Sequence, residues 1–161
     1  MQERYAAGEE NVHVAIENVM QEYLWQFAKV DTECSRVKTF SKENLSTVYT
    51  TLDGDYKIRL VFCAEEALLQ KIADNMLEET VEDHEDVVEC AKEFFNVVCG
   101  HIVAAIFRAV KVSAKFHCPG FAEGYFLPEN GGTDSLIISC FKSECHKPAM
   151  FLQDKLMLAA K

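Results

Sequence analysis

From Asp83 to about Val112 the chain carries its longest helical pattern, and nearly the whole circumference of that pattern is apolar. Val87, Val88, Cys90, Ala91, Phe94, Phe95, Val97, Val98, Ile102, Val103, Ile106 and Val110 all fall within it. A surface helix needs only one apolar stripe, so a helix apolar on most sides has to be embedded. The remaining elements must therefore form a layer large enough to cover it. One strip escapes: Glu89, Glu93, Asn96 and Gly100 follow a 4-3-4 spacing and share a face. Asn is a weak helix former that favours caps and turns, and Asn96 is too far from either end to be a cap. Gly100 costs ~1 kcal/mol relative to Ala and leaves bare backbone beside the pair. Tight helix packing and clearance for a partner both account for it.

The flanking segments supply the cover. Val12, Ala15, Ile16, Val19, Met20, Tyr23, Leu24 and Phe27 predict an amphipathic helix over residues 11–27, with Glu17, Asn18, Gln21 and Glu22 between the apolar positions. Residues 30–40 are mixed and hold at most a short strand. The runs 45–52 and 56–62 read as strands joined through Asp53-Gly54, a hairpin signal. A second helix follows over residues 64–77, with Gln70 and Asp74 on its wet side, and Thr80 with Asp83 forms a capping box for the long helix. Beyond Lys115, breaks at Cys118-Pro119-Gly120 and Asn130-Gly131-Gly132-Thr133 divide the chain into three strands, the last two near 135–142 and 150–158. The order predicts one α+β domain over 1–161, a largely antiparallel sheet packed against two or three helices including the long central one.

Composition removes several classes of function. With 161 residues, 49% of them hydrophobic, a core forms without disulfides or a structural metal. The net charge is −10 and no basic block interrupts it, which disfavours nucleic acid as a partner. No uninterrupted apolar run approaches the ~18 to 20 residues that span a bilayer, and no signal peptide is evident, so a soluble cytoplasmic protein with no membrane association is expected. The seven cysteines are odd in number and lack CxxC spacing, and are expected to be reduced and mostly buried. His117-Cys118 and Cys140 with Cys145-His146 fit no closed zinc pattern, so no metal site is expected. Trp25 and Phe27 are expected in the core or at a dimer contact.

Glu93 and Asn96 carry the chemistry. A carboxylate can pair with a cation, and a carboxamide can both donate to and accept from a water molecule. Phosphoryl transfer from a reactive phosphate needs little covalent help, so orienting a water in line is a sufficient catalytic contribution. Spacing alone is weak support, because this composition gives about 0.7 chance occurrences of Glu-x-x-Asn. The single occurrence here lies on the polar strip of an otherwise apolar helix, with Gly100 four residues on.

The run Glu89-Cys-Ala-Lys-Glu93-Phe-Phe-Asn96-Val-Val-Cys-Gly100, followed by Pro119, resembles the motif of the CheC and CheX chemotaxis phosphatases, which dephosphorylate the response regulator CheY. That motif is an Asp or Ser, three residues, Glu, two residues, Asn, usually a Gly four later, and a Pro about 22 residues past the Asn. Glu89 replaces the Asp or Ser and Pro119 is displaced by one position. The segment from Gly54 to Ala67 and the run Ile72-Ala-Asp-Asn-Met-Leu77 resemble the strand and helix that precede the motif. CheC-type members bear a second Glu-x-x-Asn in their first helix; here every other Asn has a non-Glu residue three positions before it, so the chain is more similar to CheX.

The resemblance implies a CheX-like fold, an aspartyl-phosphate phosphatase acting on a phosphorylated CheY-like receiver domain, and a homodimer. It implies that Glu93 pairs with the receiver's lysine and Asn96 holds the attacking water, while Glu89 and Gly100 face the partner. It implies no cofactor of the chain's own, with Mg2+ belonging to the receiver. The alternatives are a non-catalytic receiver-binding adaptor and a flagellar-switch-related interaction module of the same fold.

Overall fold

The computed structural model describes residues 2–127 and 136–155. Helix α1 runs Gln2–Tyr23 and closes in a wider π turn over Leu24–Ala28. Strands β1 (Glu33–Val37), β2 (Ser46–Gly54) and β3 (Ile58–Ala64) follow, then helices α2 (Glu66–Leu77) and α3 (His84–Val110). Strands β4 (Ala114–Phe116), β5 (Gly120–Glu123), β6 (Leu136–Lys142) and β7 (Ala149–Lys155) complete the described chain. The strands form one antiparallel sheet in the order β1-β6-β7-β3-β2-β4, with β5 also paired to β2. This is the expected α+β class.

The central strands explain the layering. Alternate residues point to opposite faces of a strand, and β3 is buried along its whole length. Its Ile58, Leu60, Phe62 and Ala64 join the main core with all three helices, whereas Val61 and Cys63 join a smaller cluster on the other face. Strand β7 divides likewise, with Phe151 in the main core and Met150 and Leu152 in the smaller cluster. Phe62 stacks on Phe95 at 6.4 Å between centroids, and Phe95 meets Phe151 edge-on at 6.3 Å, so α3 is seated on the middle of the sheet. By length and hydropathy α3 is apolar enough to cross a membrane, although polar residues interrupt each apolar run within it. One side of α3, including Val87, Ala91, Phe94, Phe95, Val98, Ile102 and Ile106, is buried in the core, while Val88, Val97, Val103 and Ala104 are half-buried.

Helix α3 is also well terminated. The Asp83 carboxylate accepts from the Glu85 N–H at 2.9 Å, with Glu85 and Asp86 in the positive first turn and Arg108 in the last. Asp83 is thus the cap itself, and the expected Thr80–Asp83 capping box does not form. The helix ends at Val110, two residues short of the predicted limit, and Lys111 caps it in the left-handed conformation at φ 58°.

Several polar residues depart from the sequence reading. Gln70 and Asp74 are half-buried: Gln70 Nε2 donates to Asp74 Oδ1 at 2.8 Å and to the Val81 carbonyl at 2.6 Å, while the Val81 N–H donates to Asp74 Oδ1 at 2.8 Å. They fasten the α2–α3 connection. Glu17, assigned to the wet side of α1, is only 8% exposed. Arg36 of β1 reaches its carboxylate at 3.1 Å and the Ser139 hydroxyl of β6 donates to it at 2.5 Å. Glu17→Ala leaves Ser139 without that acceptor and Arg36 with only Glu10, and is expected to cost about 2 kcal/mol, below the range for fully buried pairs because Arg36 is partly exposed. Chemical denaturation read by circular dichroism checks this.

The chain past Lys115 holds four described strands rather than three, because β4 and β5 pair separately with β2 on either side of Pro119. The Asn130–Thr133 turn and residues 156–158 lie outside the described residues. Trp25 is 55% exposed and so is not in the core, whereas Phe27 packs against it, meeting Phe94 edge-on at 5.6 Å.

The seven thiols are free, but only Cys63, Cys90 and Cys99 are buried; Cys34, Cys118 and Cys145 are exposed. Burial pushes Cys63 up to about 11 and Cys99 further up. Partial burial and the Glu17 carboxylate hold Cys34 at about 11 despite its exposure. At pH 8, alkylation followed by peptide mass analysis is expected to label Cys118 and Cys145 first, Cys34 slowly, and Cys63 and Cys99 only on unfolding.

Candidate functional site

Packing fixes the rotation of α3. Phe94 and Phe95 are fully buried, and they point toward the sheet and α1, which turns the neighbouring Glu93 and Asn96 outward. Glu89, Glu93 and Gly100 are exposed and Asn96 is half-buried, so the structure brings all four predicted site residues onto one open strip. A Cβ built on Gly100 meets no atom within 4 Å. Tight packing therefore does not explain this glycine, and open backbone beside Asn96 does.

The four residues are not equally available. Lys92 Nζ lies 2.8 Å from Glu89 Oε1, and this hydrogen bond pushes the lysine's pKa up. Glu89 is thereby neutralised locally, which relieves the like-charge repulsion expected from two carboxylates at i,i+4. Among the described residues neither the Glu93 carboxylate nor the Asn96 carboxamide has a hydrogen-bonding or ion-pair partner. Three residues apart on a helix, their Cβ atoms lie about 5 to 6 Å from each other. One acceptor-only group and one donor–acceptor group thus stand side by side, both free to meet an incoming molecule.

The surroundings leave the strip accessible. Helix α1 ends beside it, where Tyr23 packs against His101 at 4.6 Å between ring centroids. On the N-terminal side, Cys118 lies near enough to Lys92 to add to the upward push on its pKa. Pro119 is buried between β4 and β5 and so serves the connection. Sequence reading passed over Phe107, which follows Gly100 by seven residues, lies on the same strip and is half-exposed. The heptad spacing was the available signal.

The two histidines considered as metal ligands have other partners, and the cysteines beside them are free thiols. His117 Nε2 pairs with Asp53 Oδ2, and His146 Nδ1 lies 2.9 Å from Glu65 Oε1. Among the described residues no group of three or more His, Cys, Asp or Glu is arranged to hold a metal ion.

The fold is shared with solved structures. The chemotaxis protein CheX of Vibrio vulnificus matches with a TM-score of 0.72 at 18% identity, over 87% of this chain and 95% of that one. CheX of Desulfovibrio desulfuricans matches at 0.71 and 14% identity, over 88% and 97% of the two chains. A chain of the CheX–CheY–BeF3–Mg2+ complex of Borrelia burgdorferi matches at 0.71 and 16% identity, over 89% and 96%. None of the curated proteins matches the sequence. The family model of the chemotaxis phosphatase CheX matches residues 46–140, a span that takes in the hairpin of β2 and β3, α2, all of α3 and most of β6. With more than half its length under that model, and with its one Glu-x-x-Asn pair on the open strip of α3, the chain belongs to the CheX family of chemotaxis phosphatases.

Proposed function

We propose that this chain is a phosphatase that hydrolyses the aspartyl phosphate of a CheY-like receiver domain. The observation that carries this reading is that Glu93 and Asn96 have no partner among the described residues and stand beside the bare backbone of Gly100, on the accessible strip of a CheX-family chain. The complex formed by the Borrelia burgdorferi relative supports a receiver as the partner.

In this reading α3 enters the cleft that holds the phosphoryl group, and Gly100 lets the partner's backbone come close. Glu93 pairs with the receiver's lysine, which positions the helix. The Asn96 carboxamide accepts a hydrogen bond from a water and aligns its oxygen opposite the aspartyl leaving group. The water oxygen forms the new bond to phosphorus, the bond from phosphorus to the aspartyl oxygen breaks, and carboxylate and inorganic phosphate are released with the water's proton. Charge on the phosphoryl oxygens is met by the receiver's own lysine and Mg2+, so this chain need contribute only position. Glu89, already held by Lys92, meets the rim of the partner. The homodimer implied by family resemblance is part of the proposal, and sedimentation reads it directly.

Phosphate release from phosphorylated receivers at one-tenth of an equivalent of this chain tests the reading. Multiple turnovers per molecule are expected; stoichiometric protection or binding without release marks an adaptor instead.

A further inference from the structure

We infer that Phe107 is an anchor for the receiver, about three turns beyond the catalytic pair on the same strip of α3; this rests on the receiver-phosphatase reading. Seven residues turn a helix nearly back on itself, about 20° short of two full turns, so Phe107 continues the line through Glu93, Asn96 and Gly100. At 50% exposure it is the one large hydrophobic side chain on α3 that the core leaves exposed. A solitary exposed apolar residue is ordinary on a protein surface. Its position is what gives it meaning. Between Gly100 and Phe107 the strip holds only Val103 and Ala104, both half-buried, and no charge interrupts it.

Eleven residues at ~1.5 Å rise place Phe107 about 16 Å along the axis from Asn96. A compact domain of ~100 residues has a radius of gyration of ~13 Å, so one receiver face covers both points. The two ends of the strip also differ in charge. Glu89 and Glu93 stand at the catalytic end, whereas Arg108 flanks Phe107 and Lys111 Nζ sits 5.7 Å from its ring centroid. The complementary surface is an apolar patch edged by carboxylates, on the receiver beside its phosphorylation pocket. Burying an aromatic ring at a rim otherwise made of small and polar groups adds affinity and leaves the geometry at Asn96 alone.

Titrating wild type and Phe107→Ala against a CheY-like receiver loaded with beryllofluoride and Mg2+ tests the inference. Phe107→Ala is expected to raise Kd about tenfold, and to raise KM by a similar factor with kcat unchanged, while Phe107→Leu recovers most of the loss. Its half-exposed side chain makes the melting temperature an internal control that should barely move. A wild-type Kd in Phe107→Ala overturns the inference. So does a change in the sedimentation of the variant alone, which would assign the face to self-association. Retained turnover in Asn96→Ala would overturn the catalytic assignment without touching the Phe107 binding result, so the two failures are separable.

Discussion

Asn96→Ala is expected to abolish the acceleration of receiver dephosphorylation, with kcat falling about a hundredfold or more. Removing one preorganised hydrogen-bonding group from a site whose contribution is positional costs on that order. Here no other side chain on the strip both donates and accepts at that point: Glu93 only accepts, Glu89 is engaged by Lys92, and Gly100 has no side chain. Folding should be unaffected, because Asn96 is half-buried and bonds to no described residue. Asn96→Asp provides the sharper comparison. It conserves shape but replaces the donor with a negative charge facing a phosphoryl group, so it should be as inactive as the alanine variant. Glu93→Gln should act differently, raising KM more than it lowers kcat, since its proposed role is to pair with the receiver's lysine. Decay of phosphorylated receiver, followed by released phosphate, reads all three. Wild-type decay rates with Asn96→Ala would remove the mechanism.

The largest effect on stability is expected from Phe94→Ala. Phe94 is fully buried, with Phe27 at 5.6 Å and Phe62 at 5.9 Å between ring centroids, so it joins the end of α1 to the central strand through α3. Truncation forfeits the transfer free energy of the ring and leaves a cavity that rigid neighbours fill poorly, a loss of about 3 to 5 kcal/mol. For a domain of this size the melting temperature should fall by about 10 °C. Phe94 adjoins Glu93 in sequence, so the same measurement tests the orientation of the site. If the melting point moves by less than ~2 °C, the ring is not in the core and the strip through Glu93 and Asn96 faces another way. Thermal unfolding followed by circular dichroism suffices.

Much of the fold is legible in the chain because α3 and the strand runs obey their own periods. A 3.6-residue repeat fixes the angular position of Phe94 against Glu93 without knowledge of what lies opposite. The Asp53-Gly54 signal marks the β2–β3 connection, but the structure keeps both residues in β2, paired with Lys115 and Ala114 of β4, and bends the chain at 55–57; Gly54 takes a φ of 105°, which L side chains avoid. What escaped the sequence depends on partners far along the chain. Glu17 alternates with apolar residues like any wet position, yet Arg36 and Ser139 make its burial tolerable, and Ser139 is 122 residues away. Gln70 and Asp74 are half-covered by the connection after their own helix.

The sequence by itself determined that one helix is embedded, that a single polar strip survives on it, and that the strip carries Glu93 and Asn96 in the spacing of the CheX family. These follow from side-chain type and period, which are properties of one element. Only the tertiary structure decided which members of the strip are free. It engaged Glu89 through Lys92, left Glu93 and Asn96 without partners among the described residues, opened the space above Gly100 and left Phe107 half-exposed. Availability is a property of what other elements place within reach, and no local pattern encodes it.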